Sequence, residues 1–385
     1  MLPVFKYLFS APQEDIPVRD HDLKMPFKIS PSKEHPFLVL EDYFDAIKSF
    51  FLHDQAKPFI KVVNQQLGRE IALDDIHEVL IRTEKHGAFC HIASVEVVSD
   101  NDSIRFAIST ALSDKGRSFL SDEFDNLNKL NKIYDFFCLP RPYLKGEVKF
   151  LNGDGTEMFS MLLTEWFEDF HEWHVSIDEK DKTQKIRLWD LKRGYRFASQ
   201  EESYEIFKQA ARILTLYYNT RDFSQIYLWH HAAGDFIVQC RYGRVYLKLI
   251  TVRGYGGPVM EFSSGESFNP MIAIFYFFLN LSIKIRLDRL DGVGNPAWAG
   301  DYSVEATAEG FFEALHFMKA RGRYAPGHVE DLLSLLKTFS EDEFQKLHEP
   351  LMKLYRKNEP ADFPLISSNL NRHIRKLHQV ILRQS

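Results

Sequence analysis

The stretch IYLWHHAAGDFIVQCRYGRVYLKLITVRGYGG, residues 226–257, decides how the rest of the chain is read. Its centre is a strand pair: FIVQC and VYLKLI alternate apolar with polar residues, and Tyr242-Gly243-Arg244 between them is a tight-turn sequence. Ahead of the first strand lies a loop with His230, His231 and a terminal Gly234-Asp235. Behind the second lies the glycine-rich run from Arg253 to Gly257. Either this is a catalytic loop whose acids have been exchanged, or it is an ordinary hairpin that carries polar residues.

The elements on either side narrow the choice. Residues 1–36 are rich in Pro and charge and read as a loosely structured arm. LEDYFDAIKSFF and KPFIKVVNQQLG then give a helical lead-in with a glycine stop at Gly68. From His77, three β-branched, alternating segments broken by KHG and SDNDS predict antiparallel strands. The polar link SDKGRSFLSD leads to a helix in EFDNLNKLNKIYDFF, with Ser121 as its expected N-cap. LPRPYL is forced extended by its prolines, and GEVKFLN and EMFSMLLTEWF flank the turn NGDG. Beyond Trp166 the pattern is mainly helical. A hairpin in KIRLWDLKRGYRFAS precedes a helix over 201–219 capped by Ser199 and Glu202. Further helices are expected over 269–287, 305–321, 329–338 and 341–357, the last opened by the capping box Ser340-Glu-Asp-Glu343. The implied domains are 1–76, an arm and helical extension; 77–168, a sheet with one helix; and 169–385, a helical region.

Composition excludes several classes of function. With 385 residues, 45% of them apolar and 33 of them Phe, the chain is a folded globular protein. A net charge of −6 provides no general attraction for nucleic acid, which is not expected as a partner. Cys90, Cys138 and Cys240 form no CxxC and read as reduced thiols, which with the absence of a secretory pattern at the start predicts a cytoplasmic protein. The apolar run 271–285 is interrupted by Asn280, Ser282 and Lys284 and is shorter than the roughly 20 residues of a membrane span, so it reads as a core helix and no transmembrane segment is expected.

Five strands with a helix after the third, followed by a helical region holding a hairpin after its second long helix, resemble the protein kinase-like superfamily. The small-molecule branches, the aminoglycoside or choline phosphotransferases and the lipopolysaccharide core kinases, are the nearest in layout. The resemblance covers about residues 77–340 and rests on order and spacing. It implies an α+β, two-lobed fold: a five-stranded antiparallel N-lobe with one helix, a mainly helical C-lobe, and here an N-terminal helical extension. EFDNLNKLNKIYDFFCLPRPYL is similar to the helix and following turn of the phosphotransferases and implies Glu123 as the ion-pair glutamate. MLLTEWFED is similar to the fifth strand and hinge, with backbone groups of residues 164–167, among them Glu165 and Phe167, toward an adenine ring. Gly87 falls at the nucleotide-loop position of the first hairpin.

Phosphoryl transfer in this superfamily uses a strand lysine on the phosphates, a catalytic-loop aspartate on the attacking hydroxyl, and an Asn and a second Asp on Mg²⁺. On the family pattern, IRFAISTAL places Ser109 at the lysine position. His230 stands for the catalytic aspartate, Asp235 for the metal-binding asparagine and Thr251 for the second aspartate. Asp235 retains oxygen ligands for a metal, with Thr251 as its possible companion, and His230 is a candidate base. ATP and Mg²⁺ binding is therefore expected to be weak or absent. A shifted register would make Asp235 the base and put Cys240 at the asparagine position, within the strand. Lys115 could stand in for the missing lysine, although a solvated loop lysine is the simpler reading.

Other motifs have bland readings beside sharp ones. His171 and His174, with His230 and His231, have zinc-ligand chemistry but nominate no complete set. The glycines after Arg253 could cradle an anion or simply turn the chain. Asp288 to Asn295 looks like a metal loop but lacks EF-hand alternation. Three classes of function follow: a pseudokinase acting as a binding or regulatory module for an unknown protein or small molecule; an atypical ATP-dependent small-molecule or lipopolysaccharide-type phosphotransferase; and an unrelated α+β enzyme with a histidine base. Charge loss at Ser109, His230 and Thr251 puts the first ahead.

Overall fold

The computed structural model describes residues 2–30, 33–87, 89–100, 102–152, 155–190, 192–227, 229, 231–258 and 269–384. These fold as α+β in two compact units, one built on 1–133, 140–168 and 191–194, the other on 134–139, 169–190 and 195–385.

The first unit runs β1 (Val4–Phe9), β2 (Ile16–Pro17), α1 (Asp20–Leu23), β3 (Pro26–Ser30), β4 (Lys33–Val39), α2 (Leu40–Leu52), α3 (Lys57–Leu67), β5 (Ile76–His86), β6 (His91–Ser99), β7 (Ser103–Ala111), α4 (Asp114–Ile133), β8 (Pro142–Asn152) and β9 (Gly155–Glu165). Its sheet has the order β2-β1-β5-β6-β7-β9-β8. The five strands between 76 and 165 pair antiparallel, while β1 joins β5 in parallel, Val4 opposite Glu78. The sheet thus has seven strands where five were expected. The start of the chain is a strand rather than a loose arm, because VFKYLF alternates: Phe5 and Tyr7 turn to the core, where Tyr7 stacks on Phe44 at 4.3 Å.

The two faces of this sheet are covered differently. Helices α2 and α3 bring Phe44, Ile47, Phe59 and Val63 onto one face, against Ile108, Met161 and other inward residues. On the opposite face Leu162, one residue along β9, packs with Ala111 and with Leu120 of α4. Helix α4 starts seven residues before the expected cap. Ser113 Oγ accepts the Gly116 N–H at 3.1 Å and so caps it, while Ser121 sits mid-helix and accepts from Lys145 Nζ.

The second unit runs β10 (Glu172–Ile177), β11 (Gln184–Asp190), β12 (Gly194–Phe197), α5 (Gln200–Leu216), β13 (Gln225–Tyr227), α6 (Ala232–Asp235), β14 (Phe236–Arg241), β15 (Arg244–Leu249), β16 (Gly254–Gly256), α7 (Pro270–Lys284), β17 (Leu287–Arg289), β18 (Pro296–Trp298), α8 (Tyr302–Ala320), α9 (Val329–Thr338), α10 (Glu341–Asn358) and α11 (Phe363–Arg383). Ser199 and Ser340 close the expected capping boxes with Glu202 and Glu343. Helices α5 and α8 approach so closely that a Cβ on Gly310 would lie 2.1 Å from the Lys208 carbonyl oxygen. Helix α7 is the expected core helix. Its polar residues are satisfied internally, Asn280 accepting from Tyr355 at 2.7 Å and Lys284 donating to Glu359 at 2.6 Å. Among the described residues no helix is long and apolar enough to cross a membrane.

Candidate functional site

The candidate residues fall in both units, and each group has its own geometry. In the first unit, Ser109 is half-buried on β7, opposite Ile92 and Leu162. It lies on the α4 side of the sheet, the side of Ala111 two residues on. Glu123 is buried on α4, one turn beyond Leu120. Lys115 is exposed in the first turn of α4, its ammonium over the rings of Phe89 and Phe119 at 5.0 and 5.6 Å. That contact sets its ammonium over two rings at the helix surface. Glu165 ends β9, where it accepts from the Arg141 N–H at 3.2 Å, and half-buried Phe167 follows it.

Gly87 is held in the turn between β5 and β6 by its N–H, which donates to Cys90 O at 2.9 Å. The turn rests on α4: a Cβ on Gly116 would come 2.6 Å from Phe89 O, and Phe89 meets Phe119 edge-on at 4.8 Å. Protein contacts therefore anchor this hairpin tip.

Sequence reading missed a charged network on the same face of β5, β6 and β7. Arg82, Ser94 and Ala107 stand in register across the three strands. Arg82 is buried; it pairs with Asp15 Oδ2 at 2.5 Å and Glu96 at 2.8 Å, and Ser94 Oγ donates to Glu84 at 2.5 Å. Burial would raise the Glu96 pKa, but hydrogen bonds from Ser103 and Arg105 and the charges of Arg105 and Arg82 hold it below the usual carboxylate range. Small-molecule pockets are lined mainly by apolar and aromatic side chains. Here the register presents a guanidinium, a hydroxyl and one methyl group. The signal was the charge pattern R-T-E directly after the apolar V-L-I of β5.

In the second unit, the hairpin of β14 and β15 forms as the sequence indicates, Phe236 opposite Leu249 and Arg241 opposite Arg244. The chain before it and after it pairs too, β13 with β16, so that Tyr227 faces Gly254. This explains the glycine. A Cβ there would lie 2.6 Å from the Tyr227 ring, and Gly254 and Gly256 belong to a strand pair instead of an open anion cradle.

Asp235 ends the short helix α6 and is 3% exposed. Arg253 NH2 donates to its Oδ1 at 2.9 Å and NH1 to Oδ2 at 3.3 Å. A guanidinium thus engages both oxygens of the carboxylate offered as metal ligand, the bidentate geometry that favours arginine. Thr251, the second proposed ligand position, is half-buried between Ile250, whose N–H donates to Asp235 O at 2.9 Å, and buried Val252. His230, the candidate base, lies outside the described residues. Its neighbour His231 is buried with Nε2 3.3 Å from Asp362 Oδ2, at the start of α11.

The remaining histidine and aspartate motifs have structural partners. His171 is 3.6 Å from Asp190. His174 Nδ1 is 3.2 Å from Asp288 Oδ1, while Asp288 Oδ2 accepts the Val175 N–H at 2.6 Å. Asp291 pairs with Arg187 at 3.0 Å. No group of three metal-ligating side chains occurs among the described residues.

No family model matches the chain, and no curated protein matches it. Among solved structures, it is similar to a Plasmodium kinase domain at 12% identity and a TM-score of 0.26, over 81% of this chain and 87% of that one. A likeness of that degree carries no inference about chemistry.

Proposed function

We propose that the chain is a kinase-like protein without the family's catalytic charges, a pseudokinase that serves as a binding or regulatory module. The observation that carries this reading is the Asp235–Arg253 pair. A divalent cation at Asp235 would have to displace a guanidinium that already neutralises both carboxylate oxygens, and would meet its positive charge at close range. The pairing of β13 with β16 around the β14–β15 hairpin supports the kinase-like part of the reading, since it sets the loop of His231 and Asp235 beside Thr251 and Arg253. Ser109 in place of a lysine and the Arg82–Ser94–Ala107 register support the loss of nucleotide binding.

Thermal melting of the full chain with ATP or ADP, with and without Mg²⁺, tests the proposal. A ligand whose Kd exceeds its concentration stabilises by under about 0.4 kcal/mol, roughly 1 °C for a unit of this size. A shift no larger than that is expected. A Mg²⁺-dependent rise of several degrees would overturn the proposal in favour of an atypical phosphotransferase that uses ATP and Mg²⁺, with Asp235 freed from Arg253 on binding.

A further inference from the structure

The outer face of the β14–β15 hairpin is a basic and aromatic surface that none of the catalytic positions uses. Alternation turns Phe236, Val238, Leu247 and Leu249 inward, where they are buried, and presents three cross-strand pairs outward: Arg241 with Arg244, Gln239 with Tyr246, and Ile237 with Lys248. From Phe236 to Leu249 the sequence holds two Arg, one Lys and no Asp or Glu, within a chain of net charge −6. At the tip, Tyr242 is 87% exposed in a left-handed conformation, φ 52°, with the Arg241 guanidinium 4.9 Å from its ring.

Two features of this surface run against stability alone. Like charges directly opposite each other on a strand pair repel, yet Arg241 faces Arg244, and among the described residues neither has an ion-pair partner. A large aromatic side chain at positive φ, where Asn or Gly is favoured, adds local strain. Both costs fall at the same exposed turn.

Beside the hairpin is an open cleft of about 440 Å³, walled in part by Tyr246, Lys248, Gln239, Phe137, Phe170 and Arg212. Phe137 is 64% exposed, and Lys248 Nζ donates to its carbonyl oxygen. The frame is rigid. Gln209 of α5 bonds both Val245 O and Leu247 N–H, and the Leu249 N–H donates to Cys138 O at 3.0 Å. A preorganised surface loses little entropy when it is occupied.

We infer that this face docks an acidic segment of a partner protein, its carboxylates on Arg241, Arg244 and Lys248 and an apolar anchor side chain in the cleft. Tyr and Arg are the residues that concentrate binding energy at protein interfaces, and a concave, aromatic-walled cleft next to a basic ladder fits a peptide side chain better than a flat lipid surface. The inference is independent of the kinase-like reading, because it uses neither Asp235 nor any nucleotide-site residue.

The test is fluorescence anisotropy of the full chain with a labelled peptide of Glu and Asp around one central Phe. A Gln/Asn version of the peptide and anionic phosphatidylserine vesicles serve as separate arms. Saturable binding of the acidic peptide is expected, lost with the Gln/Asn version and weakened by salt. Arg241→Glu with Arg244→Glu should weaken it at least about tenfold. Tyr246→Ala, at a half-exposed position, should weaken it separately by removing a cleft wall; thermal melting shows that each variant is folded. Absence of peptide binding, binding indifferent to both variants, or binding to vesicles but not to the peptide overturns the inference. The nucleotide melting experiment reads a different site, so either proposal can fail alone.

Discussion

On the proposed kinase-like reading, the two units depart from phosphotransfer chemistry in opposite directions. In the first, a cation is missing: Ser109 stands on β7 where the resemblance asks for a lysine, while the buried acid, Glu123, remains on α4. In the second, a cation is present: Asp235, at the position the resemblance gives to a metal-binding asparagine, has both of its oxygens engaged by Arg253 of the same chain. On that reading, one change would remove an attraction for phosphate, and the other would fill the proposed metal position with a covalently attached charge. A buried carboxylate needs a counter-charge to be stable. In the second unit that requirement is met within the chain itself, so the loop is organised without any ligand.

The largest effect is expected where that internal cation is removed. Arg253→Ala leaves the Asp235 carboxylate buried beside an emptied position and should cost about 3 kcal/mol, the low end for a broken buried pair because the arginine side chain is 25% exposed. Urea denaturation of the variant measures the loss. Adding Asp235→Asn should restore most of it, since no uncompensated charge then remains. If Arg253→Ala costs less than about 1 kcal/mol, the guanidinium is not what holds the carboxylate. Addition of Mg²⁺ or Mn²⁺ to Arg253→Ala should raise its melting temperature, whereas the parent protein should not respond.

This pair also shows what could be read in advance. Asp235 reads alone as a metal ligand and Arg253 alone as an anion-binding residue, yet the hairpin between them already brings their neighbourhoods together. Phe236 and Leu249 are the last partners of the register, so the residues just outside, Asp235 and Ile250, must be neighbours, with Arg253 a short step on. The capping boxes at Ser199 and Ser340 were legible because their bonds span three residues. The parallel addition of β1 to β5 was not, because its partner lies far along the chain and no local pattern names it. Ser121 fits a cap position in sequence, but Ser113, just past the end of β7, is the residue that caps α4. Helix α11 went unread, although Ile366, Leu370, Ile374, Leu377 and Ile381 repeat at helical spacing behind Pro364.

The helices that close the second unit provide the next effect. His348 on α10 is buried; its Nδ1–H donates to Phe344 O at 2.7 Å, and burial pushes its pKa down to about 4. His373 on α11, near Ser282 and Arg286, is also held well below its ordinary value by burial and by the Arg286 charge. A base whose folded pKa is depressed leaves the unfolded chain with more bound protons, so stability falls as pH drops from about 6.5 toward 4. For His348 the loss approaches about 3 kcal/mol at the acid end of that window. His348→Leu should flatten the pH dependence of urea stability across it. An unchanged slope in that variant assigns the acid sensitivity elsewhere.

The smallest effect concerns the cation that the first unit lacks. Ser109 shares its face of β7 with Ala111, which packs on Leu120, and Glu123 lies three residues past Leu120 on the same side of α4. A lysine at 109 is therefore directed along the sheet toward the helix that carries the glutamate. If the two positions form the pair that the resemblance implies, Ser109→Lys should cost less in the parent protein than in Glu123→Gln, a coupling of about 1 kcal/mol in a double-mutant cycle. A coupling near zero separates Ser109 from Glu123 and removes the phosphate-site reading of the first unit. Even with the pair restored, no Mg²⁺-dependent nucleotide shift is expected, because Arg253 still occupies Asp235; only the combination of Ser109→Lys with Arg253→Ala addresses both changes. A shift in Ser109→Lys alone would place the decisive loss in the first unit and reverse the order of importance argued from the second.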